Sequence, residues 1–485
     1  MMLKSILPRL RNIILRLAAL LLLSVALVNI ATGNAIALPS VFPTGTTIYD
    51  PVRAYNSYVL FSAPDGNTHL IDMDGNEVHR WNKFGFPPEM LDPAQTNGEK
   101  GHILVQLENG ISPFGDIFAN QEVGELDWNG TVVWRWGTQA PGGRACQNHD
   151  ISRLPNGNTL LLTTIEHRVA GVSDRAIADQ KIVEVSKDGE IVWSWTAGDH
   201  LNEFGISPRG RALLRQAYSS SKQEFGGFLT LNDMQPVGPN PWFDAGDKRF
   251  APDNIVIDSR EISFIAIIDK QTGKIVWRLG PDYLTENQQT QEATAVARTS
   301  LRPRFSLSTP RPVDQTSGQH DAHLIPQGLP GAGNLLVFDN EGPSGFPPTR
   351  LSVEPGSRIL EIDPQTKIIV WQYTGIDSDQ PSWGFYSSFI SSARRLPNGN
   401  TLIDEGMTGR LFQVTPSGEI VWEYVNPYYS RQKLDFDREV SVNWVYRAQP
   451  IPYSWVPDNT PHTEAAIEPP QNSEFRVTQL PNGRQ

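Results

Sequence analysis

Cysteine is nearly absent. Cys146 is the single one in 485 residues, so no internal disulfide can form and packing must hold the fold. No local signature around Cys146 marks it as a nucleophile. Positive charge is also scarce, with 41 Lys and Arg against 53 Asp and Glu and a formal net charge of −12. A chain that acidic repels nucleic acid and anionic lipid, which argues against either as a partner. Beyond the N-terminus no apolar run is long enough to span a bilayer. Gly-rich phosphate loops, nucleotide fingerprints, Gly-x-Ser-x-Gly elbows and close-set metal-ligand motifs are all missing, so neither cofactor nor metal is predicted. The run Asp72-Met73-Asp74-Gly75-Asn76 resembles part of a calcium loop but lacks its downstream glutamate, and reads as a hairpin turn.

The N-terminus carries Lys4, Arg9, Arg11 and Arg16, then an apolar stretch over residues 17–31 and a small-x-small pattern at Ala35-Ile36-Ala37. These are the parts of a secretory signal peptide over residues 1–37, cleaved near Ala37. The expected location is periplasmic or secreted, with no stable membrane insertion after cleavage. Loss of four basic and no acidic residues would take the net charge to −16.

What the chain has in abundance is a repeated cassette. Residues 391–427 show it most fully: Leu396-Pro397-Asn398-Gly399-Asn400-Thr401-Leu402-Ile403, a gap, then Leu411-Phe412-Gln413-Val414-Thr415-Pro416-Ser417-Gly418-Glu419-Ile420-Val421-Trp422. Asn-Gly and Ser-Gly supply the positive φ of tight hairpin turns, and the flanks alternate apolar and polar. The endings recur at Trp81, Trp134, Trp193, Trp277, Trp371 and Trp422, spaced 53, 59, 84, 94 and 51 residues apart. Small sheets repeating near 50 residues, each unable to cover both its faces alone, predict an all-β fold, a six-bladed β-propeller of four-stranded antiparallel blades. The two long intervals are insertions.

The predicted blades cover residues 58–81, 101–136, 147–195, 228–277, 319–371 and 388–424, all within one domain over residues 38–457. Residues 38–56 form an extended lead-in able to add a closing strand. The aromatic and proline-rich segment 440–456 is expected to seal the ring or the channel mouth. Residues 82–100 and 284–318 read as loops, and 458–485 as a weakly ordered tail.

Aligning blades on their turns puts Asn148-His149-Asp150 in register with Gln319-His320-Asp321, and Asn232-Asp233 near the same level. In a propeller such positions face the central channel. Two imidazoles converging there can transfer protons, act as nucleophiles or bind metal, and a neighbouring carboxylate can fix their tautomer. His149 and His320 are therefore the candidate catalytic residues, with Asp150 and Asp321 to orient them; His323 and Asn232 are candidate binding residues. His69, His79, His102 and His462 fall outside the frame and read as surface residues.

His149-Asp150-Ile151 before Leu154-Pro155-Asn156-Gly157-Asn158-Thr159 is similar to the bacterial arylsulfotransferases. So are Gln319-His320-Asp321-Ala322 before Asn334-Leu335-Leu336-Val337-Phe338-Asp339-Asn340, and the repeated Gly-x-Ile-Val-Trp endings. The resemblance covers roughly residues 55–457 and implies a six-bladed periplasmic propeller. It also implies transfer of a sulfuryl group from a small phenolic sulfate donor to a phenol acceptor, through a channel histidine and without a nucleotide sulfate. Where the family's nucleophilic histidine is expected, around residues 385–393, this chain has Ser387, Ser388, Ser391 and Ser392. The nucleophile is then His320, His149 or absent. Arg350, Arg358, Arg394 and Arg447 are the cations available to hold sulfate. A non-catalytic propeller that binds a ligand or protein is the alternative.

Overall fold

The structure is a computed structural model that describes residues 42–108, 116–206, 208, 211–212, 214–215, 227–280, 316–342, 356–433 and 439–469. The signal segment, Arg350 and most of residues 284–318 lie outside the described residues. Six antiparallel sheets follow one another along the chain. Blade 1 contains Tyr58–Ser62, Thr68–Ile71 and Glu77–Trp81; blade 2, Glu89–Met90, Ile103–Gln106, Val123–Leu126 and Val132–Trp136. Blade 3 contains Gln147–Arg153, Thr159–His167, Ile177–Val185 and Ile191–Thr196; blade 4, Leu231–Pro236, Ile255–Ser259, Phe264–Ile268 and Ile275–Leu279. Blade 5 contains His320–Leu324, Leu335–Asp339, Arg358–Asp363 and Ile368–Tyr373; blade 6, Ser392–Arg395, Thr401–Glu405, Arg410–Val414 and Ile420–Val425.

The fourth strand of blade 1 comes from the other end of the chain: Ala448–Ile451 pairs with Tyr58–Ser62 and closes the ring. Pro450 is tolerated because this is an edge strand, where one side needs no ladder donor. The N-terminal strand Gly45–Tyr49 lies elsewhere, as a fifth, outermost strand on blade 6. Blade 2 starts inside the segment read above as a loop, with the two-residue strand Glu89–Met90 too short to leave a periodic signal. Beyond the closing strand, Thr463 donates to Asp72 of blade 1 and Ile467 bridges Tyr49 of the strand added to blade 6.

Strand sequences follow their cover. Strands in the middle of a blade, such as Ile255–Ser259 and Phe264–Ile268, are buried throughout because neighbouring blades shield both faces. Outermost strands alternate, as in Ile368–Tyr373 with every second residue exposed. In all six blades the pairing of third and fourth strands carries a one-residue shift beside the turn.

The recurring tryptophans join the blades in a circle. Trp81 Nε1 donates to Asp127 O of blade 2, and Trp134 and Trp136 donate to Lys187 O and Gly189 O of blade 3. Trp193 and Trp195 reach Lys270 O and Gly273 O of blade 4. Trp277 then reaches Pro364 O, Trp371 reaches Pro416 O, and Trp422 returns to Met73 O of blade 1 at 2.7 Å. Each turn of the cassette thus receives the indole of the preceding blade, so turn and tryptophan repeat together.

Among the described residues no helix is long and apolar enough to cross a membrane.

Candidate functional site

The innermost strands of blades 3, 4 and 5 each carry a bulge at one level, breaking register between Gln147 and Ile151, between Leu231 and Asp233, and between His320 and His323. A bulge spoils strict alternation and re-aims side chains. His149 and Asp321 accordingly take positive φ, 58° and 57°. Adjacent polar residues can then both turn inward.

The three aspartates of the frame meet on one guanidinium. Arg447, supplied by the closing segment, places Nη1 2.9 Å from Asp150, Nη2 2.9 Å from Asp233 and Nε 3.2 Å from Asp321. Asp150 also accepts from the Met234 amide of blade 4, and Asp321 from the Ala393 amide of blade 6. One carboxylate layer therefore ties blades 3 to 6 to the closing strand. Arg394 adds a second cation, 2.5 Å from Asp321 and 3.1 Å from Gln235 Oε1. Three carboxylates against two guanidiniums leave one negative charge in excess. Burial pushes Asp233 well above the usual carboxylate range, against the pull of Arg447.

His149 and His320 lie one residue before this layer, and the amides beside them orient them rather than the aspartates expected above. His320 Nδ1 is 2.7 Å from Asn340 Oδ1. The Asn340 amide nitrogen is committed to Ser387 O and Ile390 O, which fixes its oxygen as the acceptor and Nδ1 as the protonated nitrogen. His320 Nε2 in turn accepts from the Ile390 amide at 3.0 Å. Both ring nitrogens are occupied.

His149 differs at one atom. Its Nδ1 is 2.7 Å from Asn148 Oδ1, and Asn148 is held by Cys146 O and Thr164 Oγ1. Its Nε2 makes no hydrogen bond among the described residues. Phe86, Phe118 and Tyr446 surround the ring at centroid distances of 5.4, 5.2 and 5.9 Å. Burial first, then Arg447 and Arg260, lower its pKa to about 3. His320 is also held well below the usual imidazole range, by burial and then Arg260, and a charge on His149 would lower it further. Both rings are neutral at physiological pH.

Arg260 follows the second strand of blade 4 and pairs with Glu261 at 2.6 Å. Its charge bears on both histidines. Nothing in the repeat frame marks it, because the frame fails in blade 4. Asn340, by contrast, stands in the Phe338-Asp339-Asn340 motif and was legible as part of it.

The other expected site residues are dispersed. Asn232 donates to Gln319 O, and its buried Oδ1 has no partner among the described residues. Arg358 pairs with Asp339 at 2.8 Å and Glu341 at 3.4 Å. His323 does face a cavity, of about 450 Å³, with Gln235, Glu89, Arg394 and Arg447; His149 and His320 do not line it. Burial, then Arg394, holds His323 well below the ordinary imidazole range.

The serines of blade 6 have structural bonds. Ser387 Oγ donates to Phe389 O, Ser391 Oγ accepts from Gly406 N, Ser392 Oγ accepts from Ala448 N, and Ser388 Oγ meets Met407 Sδ. Two histidines read above as surface residues are buried: His69 between Glu77 and Asp65, stacked on Tyr428, and His102 between Glu125 and Glu99. Among the described residues no group of three or more His, Cys, Asp or Glu is placed to hold a metal.

No curated protein matches the chain. Solved structures similar to it include a protein of unknown function from Bacteroides caccae, 12% identical over 82% of this chain and 99% of that one, with a TM-score of 0.40. Dihydro-heme d1 dehydrogenase NirN is 13% identical over 86% and 78% of the two chains, with a TM-score of 0.36. Streptogramin B lyase is 10% identical over 84% and 85%, with a TM-score of 0.31. Similarity this distant says nothing about chemistry. The family model described as arylsulfotransferase (ASST) matches residues 65–447, from the first blade to the axial arginine, and the chain belongs to the arylsulfotransferase family.

Proposed function

We propose that the protein moves a sulfuryl group from a phenolic sulfate ester to a phenol, with His149 Nε2 as the nucleophile. The lone pair of Nε2 forms the N–S bond as the S–O bond to the aryl group breaks, and that electron pair leaves on the aryl oxide. The acceptor phenol then attacks sulfur, the N–S pair returns to Nε2, and the acceptor's proton ends on the released phenol. The observation that carries this reading is the contrast at Nε2: without a hydrogen bond among the described residues in His149, capped by the Ile390 amide in His320. Three aromatic rings around His149 suit an aryl substrate. The Arg260 guanidinium is the cation we assign to the sulfate oxygens, because its charge bears on both His149 and His320 while its own partner, Glu261, is the next residue in the chain.

A buried neutral imidazole is a weak base, but an incoming sulfate brings the negative charge that raises its pKa. The chain is proposed to act outside the cytoplasm after cleavage near Ala37.

Purified protein incubated with 4-nitrophenyl sulfate and phenol should release 4-nitrophenol and form phenyl sulfate, and quenched protein should carry a sulfuryl group on His149. His149→Ala should lose both signals. Transfer that survives in His149→Ala would refute the assignment. The other reading, a ligand-binding propeller without catalysis, draws on the structural bonds of the blade 6 serines and predicts no transfer with any acceptor.

A further inference from the structure

Blade 3 is built differently from the other five. Its two middle strands, Thr159–His167 and Ile177–Val185, have nine residues each, whereas the middle strands of the other blades have four to six. The register shows where the extra length goes. Leu161 pairs with Ile151 and Thr163 with Gln147, so residues 164–167 run past the start of the inner strand, on the side where His149 sits.

This extension and the connection over residues 137–146 form the two walls of a cleft of about 960 Å³. Arg144, Arg175 and Lys181 line it, with Glu166 as the one acidic residue of the lining. In a chain of net charge −12 this is a local excess of positive charge. The remaining lining includes Phe118, Trp136 and several aliphatic side chains. Apolar walls with a few placed charges are the composition of a small-molecule site, and the volume fits the usual range.

The cleft touches the histidine site twice. Phe118 lines the cleft and also packs 5.2 Å from the His149 ring. Thr164, another lining residue, accepts from Asn148 Nδ2 at 2.7 Å, and Asn148 Oδ1 is the partner of His149 Nδ1.

We infer that this cleft is a binding site for an aromatic molecule bearing an oxyanion, its ring against Phe118 and its anionic group toward Arg144 and Lys181. The choice of ligand class rests on the proposed sulfuryl transfer; the existence of the site does not.

Cys146 lines the cleft and is the chain's single cysteine, so its alkylation reports occupancy without any turnover. Burial raises its thiol pKa, so labelling with iodoacetamide is best followed at alkaline pH. 4-Nitrophenyl sulfate should slow alkylation in the intact protein, while 4-nitroanisole or inorganic sulfate alone should not. In Arg144→Glu/Lys181→Glu the concentration giving half protection should rise by about tenfold or more, one lost charged hydrogen bond being worth roughly that factor. The milder pair Arg144→Gln/Lys181→Gln should show a smaller rise in the same direction, and circular dichroism confirms that both fold. Unprotected Cys146, or protection with an unchanged midpoint in both double variants, overturns the inference. Protection in a protein that shows no transfer upholds the cleft and sinks the transfer reading alone.

Discussion

Replacing Arg447 by methionine keeps the bulk of the side chain and removes the one cation shared by Asp150, Asp233 and Asp321. Breaking a buried ion pair from one side costs about 3–5 kcal/mol, because the partner charge stays buried. Protonation limits the loss: a carboxyl that ordinarily ionises near 3.9 can be kept neutral at pH 7 for about 4 kcal/mol. Asp150 and Asp321 also retain backbone donors, and Asp321 retains Arg394. We therefore expect a loss of about 4 kcal/mol at pH 7. For roughly 430 residues the unfolding entropy is about 0.9 kcal/mol/K, so Tm should fall by about 4 °C. The pH dependence is the sharper test. Asp233 already lies well above the usual carboxylate range, and without Arg447 the cost of burying the ionised carboxyls is offset by one cation fewer. Stability of the variant is then fullest below pH ~4 and declines as pH rises through the raised values. The difference from the parent should widen from pH 5 to pH 8 in thermal scans. Arg447→Met/Asp233→Asn should recover part of it. Equal Tm for parent and Arg447→Met across this range, or no recovery with Asp233→Asn, would refute the account of the hub.

Glu89 keeps a little surface, but that surface faces the cavity that His323 lines, and burial followed by Asp150 pushes its pKa up to about 8. Its contribution is present below the unfolded value and disappears as pH climbs to 8, so Glu89→Gln should flatten the decline of Tm between pH 5 and pH 9. Trp422→Phe removes the donor to Met73 O and should cost about 1 kcal/mol in denaturant unfolding, whereas Trp422→Ala should cost about 3–5 kcal/mol. Because His149 titrates near 3, kcat/KM for 4-nitrophenyl sulfate should show no imidazole inflection between pH 5 and pH 8; a step near 6.5 would contradict the buried, neutral ring. Gly409 has φ +63°, and a Cβ there would stand 2.1 Å from Asn443 O of the closing segment. Gly409→Ala should therefore lower Tm measurably, and an unchanged Tm would show that the segment yields.

The sequence by itself determined the blades. Hairpin turns need positive φ within two residues, and the last strand needs a tryptophan at a set distance from its turn. Both demands are local, so they recur along the chain and could be counted. The shared frame of His149-Asp150 and His320-Asp321 was legible for the same reason, since equivalent positions in a repeat face the same way. Tertiary structure alone decided what these residues meet. Arg447 stands in no motif, and only the closing of Ala448–Ile451 onto blade 1 carries it to three aspartates drawn from three blades. The same holds for the histidines: two rings alike in sequence differ because the Ile390 amide, some 70 residues from His320, caps one nitrogen and nothing described caps its counterpart in His149. Hydrogen bonds between distant blades depend on how the ring closes, and no local pattern records that.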